Sequence, residues 1–74
     1  MTIIGDINGK NGTYQVYHLA PSDHSLYYKN SAGSSCATGF TKTSSGFSGP
    51  DGSSYSNAPS VLAAIEARHR AGKI

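Results

Sequence analysis

The chain reads N-G-K-N-G at residues 8–12, which places two Asn-Gly pairs within five positions. Asn-Gly supplies the positive φ angles that tight hairpin turns require. Residues 2–7 before this segment and residues 13–19 after it are rich in Ile, Val, Tyr and Thr, which favour strands. The segment therefore predicts a β-hairpin at the start of the chain.

The pattern beyond the hairpin is less regular. A turn at Pro21 separates the hairpin from a third predicted strand at residues 26–30, because Pro lacks the N–H group that a strand ladder needs. Residues 35–43 are a fourth candidate strand, which Gly39 weakens. Residues 44–57 hold nine Ser or Gly in fourteen positions and predict a long loop.

A helix is predicted over residues 58–71. Ser56 or Asn57 can cap it, Pro59 suits its first turn and Gly72 can end it. Its apolar face consists of Ala58, Val61, Leu62, Ile65 and His69. The elements together predict a single small α+β domain over residues 1–74. It comprises a three- or four-stranded antiparallel β-meander at 2–43, the Ser/Gly-rich loop at 44–57 and one C-terminal α-helix packed on one face.

The predicted strand pairing assigns each side chain to one face of the sheet. Pairing Ile7 with Thr13 and Leu19 with Leu26 fixes the assignment, because side chains alternate along a strand. The helix is expected to cover the apolar face, which carries Ile3, Ile7, Tyr17, Leu19, Leu26 and Tyr28. The mixed face is expected to lie in water, and it carries Ile4, Asp6, Tyr14, Val16, His18, Tyr27 and Lys29.

The composition limits the function classes that are open to this chain. Its 74 residues include nine Gly and twelve Ser, whereas Ile, Leu, Val and Phe together number twelve. A chain of this size forms one domain and buries only roughly 60% of its unfolded surface, which excludes a large enzyme. No apolar stretch approaches the ~20 residues of a membrane helix, and the start lacks a signal-peptide pattern. Cys36 is the single cysteine, so we expect no disulfide scaffold and a cytoplasmic location.

Neither catalysis nor metal binding is indicated by the residue spacing. The S-S-C-A-T-G context of Cys36 matches no known pattern for a thiol nucleophile. The three His and the single Cys lack the close C-x-x-C or H-x-x-x-H spacing of small zinc modules. The carboxylates are scattered, so no acid–base pair is apparent. We therefore expect no enzyme, no metal site and no cofactor.

The exposed mixed face predicts a binding function. Tyr is enriched where protein interfaces concentrate their binding energy. A protein partner is therefore the first expectation, and the predicted contact residues are Tyr14, His18, Tyr27 and Lys29. Small chains of this composition are typical of phage or mobile-element proteins that inhibit a host or defence protein, by analogy. A homodimer through the sheet edges is a further option.

The net charge of +2 arises at the end of the helix. Residues 1–60 hold three Lys and three Asp, whereas the rest of the chain holds three cationic residues and one carboxylate, that of Glu66. We predict a secondary basic patch at Arg68, Arg70 and Lys73.

Nucleic-acid binding through the same sheet face is the alternative. The layout of three antiparallel strands followed by a helix is similar to that of plant ethylene-response DNA-binding domains and phage integrase arm-binding domains. That resemblance implies a sheet that enters the major groove with several Arg and Trp, and the exposed face here offers Lys29 and tyrosines instead. Stacking of single-stranded bases on Tyr14 and Tyr27 tolerates such low charge.

Overall fold

The computed structural model describes residues 2–20, 22–29 and 32–74. Six strands follow one another along the chain, and each pairs antiparallel with the next in a curled half-barrel. They are β1 (Thr2–Gly9), β2 (Gly12–Ala20), β3 (Asp23–Lys29), β4 (Ser35–Thr43), β5 (Gly46–Ser48) and β6 (Ser54–Tyr55), and the single helix α1 spans Ala58–Arg70. The α+β class is confirmed, but the sheet has six strands rather than three or four.

The first hairpin turns where the Asn-Gly repeat predicts it. Gly9 pairs with Gly12, so that Lys10 and Asn11 form the turn. The predicted turn residue Pro21 lies outside the described residues, and β3 begins at Asp23, earlier than predicted. The fourth candidate strand at residues 35–43 is confirmed as β4.

The prediction of a long loop at residues 44–57 is wrong, because this segment contains β5 and β6. Phe47 pairs with Lys42 on one side and with Tyr55 on the other. The Phe47 side chain is buried in the core, so this short strand is held by tertiary contacts rather than by its own composition. Gly46 allows the close approach, because a Cβ at this position would overlap the carbonyl oxygen of Tyr55.

The helix forms where its end signals place it. The Asn57 side chain accepts a hydrogen bond of 3.0 Å from the backbone N–H of Ser60, and Pro59 occupies the first turn. Gly72, with φ of 74°, follows the last turn. The helix packs mainly on β1 and also contacts β5 and β6, so it bridges the two ends of the sheet.

The register differs from the predicted one by a single residue, which reverses the faces of β2. Ile7 pairs with Tyr14 instead of Thr13, and Leu26 pairs with His18 instead of Leu19. A one-residue slip moves every side chain of a strand to the opposite face. The core between sheet and helix is consequently built from Ile7, Val16, Leu26, Tyr28, Phe40, Phe47, Val61 and Ile65.

Candidate functional site

The sheet has one face that the helix does not cover, here called the open face. Ile3 pairs with Tyr17, Tyr17 with Tyr27, and Tyr27 with Ala37, so these four residues form one row across β1 to β4. Tyr17 lies at the centre of the row and is only 1% exposed. Its hydroxyl is hydrogen-bonded to the Ser35 hydroxyl, and its ring centroid lies 6.2 Å from that of Tyr27. The open face thus has an ordered aromatic centre.

Two aliphatic side chains flank that centre and remain in water. Ile3 is 46% exposed and Leu19 is 42% exposed. Ile3 is the register partner of Tyr17, and Leu19 lies two positions beyond Tyr17 on the same strand, so alternation places both on the open face. The prediction that both are buried under the helix is wrong. The one-residue register change reverses Leu19, and the irregularity between Ile3 and Gly5 in β1 reverses Ile3.

The four predicted contact residues are divided between the two faces. Alternation places Tyr27 and the exposed Lys29 on the open face. Tyr14 instead packs against the core, with its ring centroid 4.7 Å from that of His69 and 5.6 Å from that of Tyr28. His18 pairs with the buried Leu26 and also lies on the helix side. The shared exposed face that was predicted for all four is therefore wrong.

A hydrogen-bond network holds Tyr27 in place. Its hydroxyl donates to Asp23 Oδ2 at 2.9 Å, and Asp23 Oδ1 accepts from the Ser25 backbone N–H at 3.1 Å. The Ser25 bond and then the Tyr27 bond hold the pKa of the Asp23 carboxyl below its usual value. The Asp23 bond raises the pKa of the Tyr27 hydroxyl. Tyr27 is therefore a neutral, oriented contact group at neutral pH, with little side-chain freedom to lose on binding.

The charges of the open face are mixed. Within the described ranges, alternation places one ammonium, from Lys29, and one carboxylate, from Asp6, on this face, and a second carboxylate, Asp23, accepts the Tyr27 hydroxyl there. A surface that binds a polyanion needs several cations that neutralise phosphates. The charge pattern is therefore suited to a protein surface rather than to a nucleic-acid backbone.

The predicted basic patch at the helix end consists of residues in different environments. Arg70 Nε donates to the backbone oxygen of Asn8 at 2.7 Å, so this residue ties the helix to β1. The Nε atom of Arg68 is buried and has no hydrogen-bond partner in the described part of the chain. Lys73 is exposed. Arg70 is thus already engaged within the fold.

The outer edge of β1 is occupied by helix side chains. The backbone N–H of Asn8 donates to Glu66 Oε1 at 2.7 Å, and the N–H of Lys10 donates to His69 Nδ1 at 3.0 Å. Together with the Arg70 bond, these contacts satisfy edge groups that could otherwise pair with another chain. The basic and acidic residues of the last helical turns therefore protect the sheet edge.

Chemistry-bearing groups elsewhere are few. Cys36 is half-buried against the core. Within residues 2–20, 22–29 and 32–74, no three His, Cys, Asp or Glu side chains lie close enough together to hold a metal ion. The same residues include no helix with the length and apolarity needed to cross a membrane. No protein-family model, curated protein or solved structure matches the chain.

Proposed function

We propose that this chain is a small, non-enzymatic binding protein that docks on a protein partner through its open face. The observation that carries the proposal is the exposure of Ile3 and Leu19 on either side of the ordered Tyr17–Tyr27 pair. Exposed apolar side chains beside rigid tyrosines are typical of interface centres. Lys29, Asp6 and Asp23 then form a polar rim that selects the partner by charge.

The size of the face is compatible with a stable interface. The molecule measures 31 × 23 × 17 Å. The projection along its shortest dimension covers about 700 Å², of the same order as the roughly 800 Å² that each partner buries in a standard interface. A partner must cover most of one face of the domain to bind tightly. The open face is the sheet face that no element of the described part of the chain covers.

We further propose the cytoplasm as the compartment and inhibition of a host or defence protein as the biological role, as in phage or mobile-element accessory proteins. The single cysteine supports a reducing compartment. An inhibitor of this kind needs only to occupy a surface, which a domain of 74 residues can do without catalytic groups.

Replacing Leu19 with Glu is expected to weaken partner binding by about tenfold or more, because it puts a carboxylate at the centre of an apolar contact. The partner is captured from native cells with the tagged chain, purified, and titrated against each variant. Ser60→Glu is the matched control, since it adds the same charge at an exposed position on the helix. Equal binding by Leu19→Glu and wild type, with loss in Ser60→Glu, would contradict the choice of face.

Nucleic-acid binding through the open face is the competing function. A salt titration of single-stranded DNA and RNA binding separates the two, because phosphate contacts weaken steeply with salt. We expect no binding at about 50 mM salt, where such contacts are strong. Binding there that is lost near 200 mM, and that Tyr27→Ala abolishes, would establish the nucleic-acid function instead.

A homodimer through the sheet edge is the least supported form of association. The edge of β1 is occupied at Asn8 and Lys10, and β6 is only two residues long. The double variant Glu66→Ala, Arg70→Ala frees both backbone groups of Asn8, so we expect it to form dimers that sedimentation detects at concentrations where the wild type is monomeric. A dimeric wild type whose mass these changes leave unaltered would place the interface elsewhere.

A further inference from the structure

A depression of about 520 Å³ opens at one end of the sheet. It is lined by His18, His24, Lys42, Thr43 and Ser44. His18 lies near the end of β2, His24 near the start of β3, and Lys42 and Thr43 at the end of β4, so the antiparallel order brings these positions together. Its volume falls within the range of small-molecule sites, roughly 300–1,000 Å³.

Several groups around this depression are hydrogen-bond donors, and the Thr43 hydroxyl already shares a long bond of 3.5 Å with the Ser45 hydroxyl. The Lys42 ammonium makes one long hydrogen bond of 3.4 Å to the Thr43 carbonyl oxygen and lies 5.2 Å from the centroid of the Phe47 ring. Neither contact neutralises its charge. The Nε2 atom of His18 is buried and has no hydrogen-bond partner among the described residues. A buried polar atom left unpaired is costly, and a ligand oxygen that bonds to it removes that cost.

We propose that this depression binds the phosphate group of a small phosphorylated molecule. The ammonium of Lys42 and the hydroxyls of Thr43 and Ser44 offer several donors to one tetrahedral group, and the imidazoles of His18 and His24 add two more. A phosphate alone would fill only part of the volume, which leaves room for the molecule that carries it. His18 and Lys42 lie on the helix side as register partners of the buried Leu26 and Phe47. The lining does not include the open-face residues Ile3, Leu19 and Tyr27, so the site is separate from the proposed docking contacts.

The carboxylate of Asp23 acts electrostatically on the two imidazoles. Its charge is coupled to His18 and His24, but its oxygens are already occupied by the Ser25 N–H and the Tyr27 hydroxyl. These bonds belong to the open-face network. Asp23 therefore reduces the positive charge near the depression without competing directly for its donors.

The test is an NMR titration of the full chain with four ligands in turn, at constant ionic strength. The ligands are inorganic phosphate, sulfate, phosphoserine and adenosine monophosphate. We expect saturable shifts at His18, His24 and residues 42–44, and a tighter constant for at least one phosphate monoester than for the inorganic ions. Lys42→Gln should weaken binding by about tenfold, since it removes a charged donor. Lys29→Gln, which removes an exposed ammonium on the open face, should leave binding unchanged.

The proposal fails on any of three results. Shifts that do not saturate would show nonspecific ion association. Equal weakening by Lys29→Gln and Lys42→Gln would show a response to net charge rather than to this depression. Binding of the inorganic ions with exclusion of both monoesters would contradict a phosphorylated small molecule as the ligand. His24→Gln serves as a second variant, because His24 is exposed and its loss should spare the fold.

Discussion

Replacing Gly46 with Ala is expected to lower the free energy of unfolding by about 3 kcal/mol or more. Gly46 has φ of 146°, which side-chain-bearing residues rarely adopt. A Cβ there would also overlap the Tyr55 carbonyl oxygen and lie 3.1 Å from the Ser56 Cα. Both neighbours are backbone atoms, so no side-chain rotation relieves the overlap. Because small domains are marginally stable, this change removes much of the total free energy of unfolding.

Gly12 provides a matched control for Gly46. Its φ is 141°, nearly the same value, but a Cβ there would have no atom within 4 Å. Gly12→Ala should therefore cost only the backbone strain, about 1–2 kcal/mol. Urea denaturation, monitored by circular dichroism, gives the free energy of unfolding of both variants. Equal losses in the two variants would mean that residues 46 and 55 are not in contact, as in a loop that does not pack.

Replacing His69 with Ala is expected to lower the free energy of unfolding by about 3 kcal/mol. The ring is 7% exposed and lies between two tyrosines, with centroids 4.7 Å from Tyr14 and 5.1 Å from Tyr28. Its Nδ1 atom also accepts the Lys10 backbone N–H. The Ala variant loses the aromatic contacts, leaves a cavity and removes the acceptor.

Two further variants separate these contributions in phosphate-free buffer. His69→Phe keeps a ring between the tyrosines and removes only the acceptor, so it should cost about 1 kcal/mol. His24→Ala alters an exposed histidine and should change stability by less than about 0.5 kcal/mol. If His69→Phe proved as destabilising as His69→Ala, the hydrogen bond to Lys10 rather than ring packing would be the main contribution.

The elements that sequence reasoning predicted correctly depend on local chemistry. The hairpin follows from the Asn-Gly pairs, and the helix follows from the Asn57 cap, Pro59 and Gly72. Each of these signals acts within a few residues of its own position. The hairpin and the helix can therefore be predicted without knowledge of the rest of the fold.

The register could not be predicted in the same way. The segment N-G-K-N-G offers more than one place to turn, and the turn at Lys10 and Asn11 moves Tyr14 and Val16 to the helix side. An extra residue in β1 near Ile4 then restores the Ile3–Tyr17 pair. Faces in a sheet depend on a single residue of register, so the prediction puts Tyr14 and His18 on the wrong face, whereas Tyr27 lies on the exposed face as predicted.

The amino-acid sequence determined the first hairpin, the helix and the α+β class, because turn and cap signals are local. Tertiary structure alone decided that residues 44–57 add two strands, since Phe47 gains its burial only against the other strands and the helix. It also decided that Ile3 and Leu19 lie in water and that His18, His24 and Lys42 meet at one depression. These groups are far apart along the chain, and only pairing between strands sets the distances among them.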